Sequence, residues 1–587
     1  MPRPKEECVM KVGNKWKRRL CSAFLAAAAF CFCLTGCTGQ TASLAAQQSE
    51  VSTAQQTEHL VLLCRVWGYV KYRHPAYLLG QRDWDADLLE LIPQVQAAGS
   101  TSEVSDLLLT WFTGLGEIDY GRRGAGAFVP FDNQVVESDT SWTKDTAYLG
   151  EELAAALALL PEKLPSLDRS AAPVYFDEIG TPNFSHEPEH TAAYNDPSFR
   201  LLGLFRLWNA IEYYYPYLHL AGQPWDDCLS EAIPAMLDGR DQDSYESALR
   251  TMAFQLCDPH VHFRYPNGTY SNTAEISSYL LPTPIRAVEG KLTVTAAVEG
   301  CPLAPGDVLL SINGRTIEEL AAEKRQYLSL SREELLLEQA KYLITSTDTP
   351  EMELVILRDG AELTLTVQGT THFPQEDLPP YELLEGNIGL INPAAIADPD
   401  TLHQVMAAVR DTDGLVVDLR QYPGDPASFF GILYYYLPAT RRPCIITSAP
   451  EPDVPGVYTK TTLLYGYSPS YQVYLPQLYP YEQPVAILID QQSISASEFA
   501  ATILSNSDDA VLVGEPTVGT DGNVVLLPLP GGVQMGFTSL GCYELDGSQS
   551  QQVGITPDIK APYTVQGIKE GRDEPLEAAL QYLASQQ

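Results

Sequence analysis

The sequence predicts a multidomain α+β protein with a duplicated helical region, then a β-rich segment, then a β/α core. The first observation is an internal repeat, because seven residues within 65–93 recur 141 positions later, within 206–234. The second is a series of short β-like runs within 272–372. The third is an alternation of apolar strand patterns and helix patterns from 385 onward, which is typical of a β/α core.

Length and composition limit the possible functions. The chain has 587 residues, a formal net charge of −38 and 45% hydrophobic residues, which indicates several globular domains. This acid excess argues against nucleic acid as a partner, because phosphate binding needs patches of Lys and Arg. The cysteines beyond residue 37 are widely scattered and form no C-x-x-C pair, so they predict neither a zinc site nor a dense disulfide framework.

Residues 1–36 form a predicted signal peptide. Seven basic and two acidic residues accompany the apolar run Leu20–Leu34, which is too short to span a bilayer comfortably. The run ends in Leu-Thr-Gly-Cys37, which resembles the bacterial lipoprotein box. The resemblance implies a lipid on Cys37, a flexible tether over 37–57, and a lipid-anchored, extracytoplasmic protein of the cell envelope. An ordinary secretory signal or an uncleaved anchor is the alternative.

The internal repeat predicts two related helical units. We assign 58–195 to the first unit with its connecting region, and 196–271 to the second unit. At the repeat offset, Asp119 stands where the second copy has His260, so only the second copy can use a histidine for chemistry. A purely structural role is the alternative, above all for the first copy. The matched pairs are Arg65/Arg206, Trp67/Trp208, Pro75/Pro216, Trp84/Trp225, Asp85/Asp226, Glu90/Glu231 and Pro93/Pro234.

The β-rich segment 272–372 resembles a PDZ domain. Its stretch Leu303–Arg315 resembles the PDZ signature, with a turn at Pro305-Gly306 and a tight hairpin at Asn313-Gly314. PDZ domains bind extended peptides by adding a strand to a sheet edge, so the resemblance implies recruitment of polypeptides. An ordinary small β-rich insert is the alternative.

The segment His186–His190 fits the zinc-protease pattern H-E-x-x-H, but we predict a polar loop and no metal. The zinc pattern needs both histidines on one face of a continuous helix. Pro188 lies between them and would break such a helix, since it lacks an N–H and its ring clashes with the preceding turn.

The segment 487–504 is the strongest chemical signal. An apolar strand pattern leads through a turn of small residues into an Ala-rich helix, which places Ser495 at a helix N-terminus. Free N–H groups there would stabilise a developing oxyanion. Helix capping is an equally good explanation from this segment alone, because Ser-x-x-Glu is a capping box.

Further motifs decide between these explanations. Together, and in this order, they resemble the C-terminal-processing and tricorn-type serine peptidase family over roughly 200–587. The resemblance implies a crotonase-like β/α peptidase core over 373–587, cleavage of polypeptides through an acyl-enzyme, and no metal or organic cofactor. The motifs are Leu256–His260, Val417–Gly424, Ser495–Glu498, Val513–Gly519, Val553–Asp558 and Gly571–Asp573.

The resemblance also implies roles for single residues. Ser495 matches the nucleophile and His260 matches the base of the tricorn-like branch, with His262 as the local competitor. The N–H groups of Ala496 and Gly424 match the oxyanion hole.

Two positions depart from the family pattern. Thr520 stands where the C-terminal-processing branch has its Lys base, and Pro259 stands where the tricorn-like branch has a bridging Ser. No Glu can be placed as the residue that orients His260, so Asp258 and Gln551 remain the candidates.

We therefore predict an extracytoplasmic, lipid-anchored serine endopeptidase. The alternatives are a catalytically inactive peptide-binding lipoprotein on the same scaffold, and a serine hydrolase that acts on substrates other than peptides.

Overall fold

The computed structural model of the chain describes residues 52–121, 129–177, 179–271, 273, 276–372, 378–426, 429, 443–464, 481–507 and 509–586. The predicted signal peptide, Cys37 and nearly all of the tether lie outside the described residues. No helix within the described residues combines the length and the hydrophobicity that a membrane crossing requires.

The first half of the described chain is mainly helical. Aspartate side chains precede several of its helices and accept free N–H groups of the first turn, as Asp83 does before the helix that begins at Trp84 and Asp196 before the helix that begins at Pro197. The helices are α1 (Thr53–Lys71), α2 (Pro75–Leu78), α3 (Trp84–Ala97), α4 (Thr101–Gly114), α5 (Thr146–Leu149), α6 (Glu151–Leu157), α7 (Pro197–Tyr214), α8 (Trp225–Asp238) and α9 (Gln242–Ala253), and the strands are β1 (Gln134–Glu137), β2 (Tyr175–Phe176), β3 (Pro182–Asn183) and β4 (His262–Arg264).

The helix starts keep the spacing of the sequence repeat. Helices α3 and α8 begin 141 residues apart, and so do α4 and α9. A tryptophan contact recurs at the same spacing, since Trp67 Nε1 donates to the Trp84 carbonyl (2.9 Å) and Trp208 Nε1 donates to the Trp225 carbonyl (3.0 Å). The repeated residues therefore make the same local contact in both copies.

Contacts between the two copies are reciprocal. Arg65 of the first copy pairs with Asp226 of the second (3.4 Å), and the counterpart Arg206 pairs with Asp85. Gly68 faces its own counterpart Asn209, so closely that a Cβ atom at position 68 would lie 1.6 Å from Asn209 Oδ1. An approximate two-fold axis thus relates the copies and passes close to these last two residues.

The β-rich segment forms an antiparallel sheet with strand order β10-β9-β7-β6-β5, and β8 pairs with β7. Helix α11 lies against β5 and β6. Strand β5 is the edge of the sheet, which is the position that strand addition requires, and the PDZ-like interpretation stays a prediction. The elements are β5 (Ile285–Val288), β6 (Lys291–Val294), β7 (Val308–Ile312), β8 (Arg315–Thr316), α10 (Ile317–Lys324), α11 (Leu336–Thr345), β9 (Glu351–Arg358) and β10 (Ala361–Gln368).

The C-terminal part is built around a sheet with strand order β11-β12-β13-β16-β17-β21, parallel except for β11. Apolar clusters cover both faces of its central strands, which explains their continuous hydrophobic sequences. The elements are β11 (Tyr381–Leu384), β12 (Ile388–Ile391), α12 (Pro399–Val409), β13 (Gly414–Asp418), β14 (Pro443–Pro450), β15 (Val457–Leu464), β16 (Val485–Ile489), α13 (Ala496–Ser505), β17 (Ala510–Gly514), β18 (Val524–Leu529), β19 (Val533–Thr538), β20 (Gly541–Tyr543), β21 (Ile559–Lys560), α14 (Val565–Lys569) and α15 (Glu574–Gln586).

Two smaller sheets join the helical region to the C-terminal part. Strand β1 pairs with β15, and β4 pairs antiparallel with β19, with His262 opposite Gly536. Leu527, Met535 and Phe537 of the β18–β19 hairpin also belong to the apolar core of the helical region. The segment that carries His260 is therefore fixed directly to the C-terminal part of the chain.

Candidate active site

Ser495 lies where strand β16 turns into helix α13, as the sequence predicts. Its backbone has φ 54° and ψ −115°, a conformation that non-glycine residues rarely adopt and that costs about 1–3 kcal/mol. Its N–H holds this conformation by donating to the Thr520 carbonyl (2.8 Å) and to Glu498 Oε2 (3.3 Å). Ser495 is partly exposed, so the turn presents a strained serine at the start of a helix.

The buried Glu498 fixes the loop behind Ser495. Its carboxylate accepts hydrogen bonds from Thr517 Oγ1 (2.5 Å), from the Gly519 N–H (2.8 Å) and from the Thr520 N–H (2.8 Å). Burial raises the pKa of Glu498 to about 7, and these donors oppose that shift. The Ser-x-x-Glu pair thus ties the 517–520 loop to the start of α13.

His260 is buried, and its two ring nitrogens differ. Nδ1 lies 2.9 Å from Thr538 Oγ1, and the Thr538 hydroxyl donates to Asp258 Oδ2 (2.6 Å). Nε2 is buried and has no hydrogen-bond partner among the described residues. Burial lowers the pKa of His260, the nearby Asp258 opposes this shift, and His262 adds to it. The ring is therefore neutral near pH 7, with one unpartnered nitrogen.

A cavity of about 390 Å³ reaches both segments. Pro259 and Val261, on either side of His260, line it, and so does Ile494, which precedes Ser495. Helix α11 also lines this cavity, through residues that include Glu338 and Lys341. The fold thus brings the predicted nucleophile segment and the predicted base segment to one cavity.

The two groups predicted for the oxyanion hole differ in their surroundings. Ala496 is the first residue of α13, where an N–H has no acceptor within the helix. The Gly424 N–H instead donates to the Pro393 carbonyl (3.0 Å), and a Cβ at this glycine would lie 2.4 Å from the Ala394 carbonyl oxygen. In this conformation Gly424 has another acceptor, so its oxyanion role stays a prediction that requires this bond to open.

Other residues singled out in the sequence have different contacts. Gln551 Oε1 accepts the Asp521 N–H (3.3 Å), while Thr538 already occupies Nδ1 of His260. His262 lies in β4, and its Nδ1 contacts the His260 carbonyl (2.8 Å). Thr520 is fully buried and accepts from the Ser495 N–H through its carbonyl.

The His186–His190 segment contains no helix, in agreement with the predicted loop. Its polar groups take part in structural contacts: Glu187 pairs with Lys71 (2.6 Å) and His190 Nε2 contacts Asp85 (2.8 Å). Within the described ranges, no group of three or more His, Cys, Asp or Glu residues is arranged to hold a metal ion.

Sequence reasoning missed two residues of this site. Thr538 contacts the His260 ring, and the Tyr215 hydroxyl donates to Asp258 Oδ2 (3.2 Å). Neither belongs to a recognisable motif, and Thr538 is 278 residues from His260 in sequence. A correct pairing of β4 with β19 would have found Thr538, since His262 opposes Gly536 and the same register places 260 opposite 538.

Known proteins resemble this chain. Residues 387–561 match the model of peptidase family S41. The chain is 22% identical over 353 residues to carboxyl-terminal-processing peptidase 3, chloroplastic, of Arabidopsis thaliana, which covers 58% of this chain and 64% of that protein. It is 25% identical over 337 residues to the carboxyl-terminal-processing protease of Synechocystis, covering 54% of this chain and 71% of that protein. The match thus spans just under two thirds of the Arabidopsis relative.

Among solved structures, mature CPAF in complex with lactacystin is similar to 66% of this chain over 97% of its own length. The sequence identity is 14% and the TM-score is 0.49.

Proposed function

We propose that this protein, whose residues 387–561 form a peptidase family S41 domain, is a serine endopeptidase with Ser495 as its nucleophile. The observation that carries the proposal is the backbone of Ser495, which is strained at a helix start and directly follows Ile494, a residue lining the cavity that the His260 segment also reaches. A strained serine at such a turn is a recurring arrangement for nucleophiles, because it presents the hydroxyl to a substrate.

The proposed reaction proceeds through an acyl-enzyme. Ser495 Oγ attacks the scissile carbonyl while its proton passes to Nε2 of His260, and the same proton then goes to the departing amine. Water then attacks the acyl carbonyl while Nε2 accepts its proton, and Nε2 returns this proton to Ser495 Oγ as the acid product leaves. The Ala496 N–H would stabilise the oxyanion, and Gly424 would contribute once its bond to Pro393 opens.

Ser495→Ala tests the assignment. We expect loss of polypeptide cleavage and loss of labelling by a fluorophosphonate probe, with the fold retained. A well-folded wild-type protein that takes no label would favour the inactive peptide-binding alternative. Labelling together with hydrolysis of esters but not of peptides would favour a serine hydrolase of another class.

The base assignment is tested separately. We expect His260→Ala to reduce kcat by at least about 10²-fold, since general-base catalysis contributes about 10²–10⁴-fold. His262→Ala, as the matched control, should retain most of the wild-type rate. The reverse pattern would show that His262 is the base.

Polypeptide substrates would be recruited along the edge of β5, where the Ala287 N–H, which donates to Glu338 Oε2 (2.7 Å), would have to exchange this acceptor for the substrate. Ala287 of this strand and Leu337 of α11 line a second cavity, of about 600 Å³, which shares Gln491 with the cavity beside Ser495. Leu337→Arg should therefore raise KM for long polypeptides and leave the rate of fluorophosphonate labelling unchanged. An unchanged KM would contradict recruitment at this edge.

We also propose that the protein is anchored outside the cytoplasm through a lipid on Cys37. The support is the sequence of the segment before Cys37, which lies outside the described residues. Without residues 1–36, which carry a net charge of +5, the rest of the chain would have a net charge of −43 and would be repelled by anionic lipids. Cys37→Ala should move the protein out of the membrane fraction, and its retention there would contradict lipidation at this residue.

A further inference from the structure

A chain of hydrogen bonds connects His260 to a buried carboxylate through a hydroxyl. His260 is 8% exposed, and Thr538 and Asp258 are fully buried. The Thr538 oxygen lies 2.9 Å from His260 Nδ1 and 2.6 Å from Asp258 Oδ2. These distances are normal for hydrogen bonds, so the three groups form a continuous series.

The donor and acceptor roles in this series follow from Asp258. An ionised carboxylate can only accept, so the Thr538 hydroxyl proton points at Asp258. The Thr538 oxygen is then left to accept, and the group that faces it, Nδ1 of His260, has to be the donor. The proton of the neutral ring is therefore on Nδ1, and Nε2 is the free basic nitrogen.

Asp258 is itself held by several donors. Its Oδ1 accepts the backbone N–H of His260 (2.9 Å), and its Oδ2 also accepts from the Tyr215 hydroxyl (3.2 Å). The Asp258 N–H donates to Ser329 Oγ (3.0 Å). The carboxylate is thus fixed on several sides before it contacts Thr538.

Strand pairing explains why position 538 supplies the hydroxyl. Strands β4 and β19 pair antiparallel with His262 opposite Gly536 and Arg264 opposite Gln534. Extending this register by two residues places His260 opposite Thr538, the last residue of β19. The ladder that fixes the His260 segment to the C-terminal part therefore also sets the distance between the ring and the hydroxyl.

We propose that Thr538 is a positioning residue that couples Asp258 to His260, fixing the ring orientation and keeping the proton on Nδ1. This inference rests on the proposed role of His260 as the base. Thr538 touches neither substrate nor Ser495 in this scheme. When Nε2 takes the proton of Ser495, Nδ1–H continues to donate to Thr538, and the negative charge of Asp258 stabilises the imidazolium through the polarised hydroxyl. No proton passes to Asp258.

The test measures the tautomer of His260 directly, by ¹⁵N NMR of the ring in the full chain. The wild type should have Nδ1 protonated and Nε2 unprotonated. Thr538→Val keeps the shape but removes the hydroxyl, and should give a mixture of tautomers with kcat lowered about 10²-fold and KM nearly unchanged. Thr538→Ser restores the hydroxyl and should restore the tautomer, with kcat within a few fold of the wild type.

Asp258→Asn gives a second, opposite test. If Oδ1 of the new side chain still accepts from the backbone N–H of His260, its Nδ2 group faces Thr538 and donates to the hydroxyl oxygen. The Thr538 proton then turns towards Nδ1, and the ring proton should move to Nε2, so this variant should show the inverted tautomer and a large loss of kcat. Tyr215→Phe removes a donor to Asp258 outside the series and should keep the Nδ1–H tautomer.

An unchanged tautomer and unchanged kcat in Thr538→Val would overturn the proposal, and so would an uninverted tautomer in Asp258→Asn. If Thr538→Val does not fold, the Asp258→Asn and Thr538→Ser pair decides the question. Failure of the proposed function gives a different result: Ser495→Ala would keep its activity, whatever the tautomer of His260.

Discussion

At the scale of single residues, the surroundings of His260 determine the protonation state of its ring. Burial lowers its pKa below the ordinary value of 6.5, and the charge of Asp258 opposes this shift. The groups that face the ring are Asp258 and His262 on its own segment and Thr538 on β19. The His260 ring is therefore neutral at pH 7 and can accept a proton.

We predict that the His260 ring titrates below pH 6.5. The measurement is an NMR pH titration of the ring Cε1–H, with the signal assigned by its absence in His260→Ala. Because the unfolded chain takes up this proton at higher pH than the folded chain does, the contribution of His260 to stability should decline as pH falls below 6.5. A titration midpoint above 6.5 would contradict the effect of burial.

At this scale, short sequence motifs predict some residues of the candidate site and not others. Short motifs predict Ser495 and His260, and they leave Asp258 as one of two candidates to orient His260; residues 387–561, which include Ser495, match the model of peptidase family S41. The place of Thr538 could not be predicted, because it depends on an antiparallel register between segments far apart in the chain. The hydrogen bond from the Gly424 N–H to the Pro393 carbonyl could not be predicted either, because it depends on the path of a loop and not on residue type.

At the scale of elements, the Glu498 carboxylate links α13 to the loop 517–520. All its partners donate, and no acceptor is found among them within the described part of the chain. A side-chain amide in place of the Glu498 carboxylate would direct its NH₂ group at N–H or O–H donors, with which it cannot form hydrogen bonds. The geometry of Ser495 thus depends on a group that can accept on both oxygens.

We predict that Glu498→Gln lowers the free energy of unfolding by about 1–3 kcal/mol, the cost of leaving buried donors unpaired. The rate of fluorophosphonate labelling should also fall, because the Ser495 turn loses a support. Denaturant unfolding measures the first effect. Glu577→Gln, at an exposed carboxylate of α15 that pairs with Arg572 (2.5 Å), is the control and should change stability by less than about 1 kcal/mol. Equal effects of the two substitutions would refute this role of Glu498.

The elements themselves were predictable to different degrees. The strand before Ser495 and the helix after it follow from their hydrophobic patterns, and the 141-residue spacing recurs in the helix starts. The pairings β1–β15 and β4–β19 were not predicted, because each joins strands that lie far apart in the sequence. As a result, the hairpin β18–β19 shares a core with helices that the sequence places in a separate region.

At the scale of the whole molecule, the contact between the two helical copies contributes to stability. We predict that Gly68→Ala destabilises the protein by about 1–3 kcal/mol, because the new Cβ would overlap the Asn209 amide. Thermal and denaturant unfolding provide the measurement. The double variant Gly68→Ala/Asn209→Ala should regain part of the loss from overlap, although Asn209→Ala itself removes hydrogen bonds to the Cys64 and Phe205 carbonyls.

Gly114→Ala is the control for this prediction. Gly114 ends α4 with no atom within 4 Å of an added Cβ, so the substitution should be neutral or slightly stabilising. If Gly68→Ala changed stability as little as Gly114→Ala does, this result would contradict the close approach of the two copies at the axis.

The approximate two-fold axis has a consequence for what the chain can build. Two identical subunits that met at such an axis would have to place the same residue on both sides of it, either two glycines or two asparagines. Two asparagine side chains would overlap, and two glycines would leave a gap where the side-chain amide of Asn209 now forms hydrogen bonds. Because the halves are covalently joined, each could take a different residue, and the same freedom allows His260 to have an aspartate as its counterpart. Fusion thus turns a self-complementary interface into one that can hold a single, unsymmetrical site, such as the one proposed at His260.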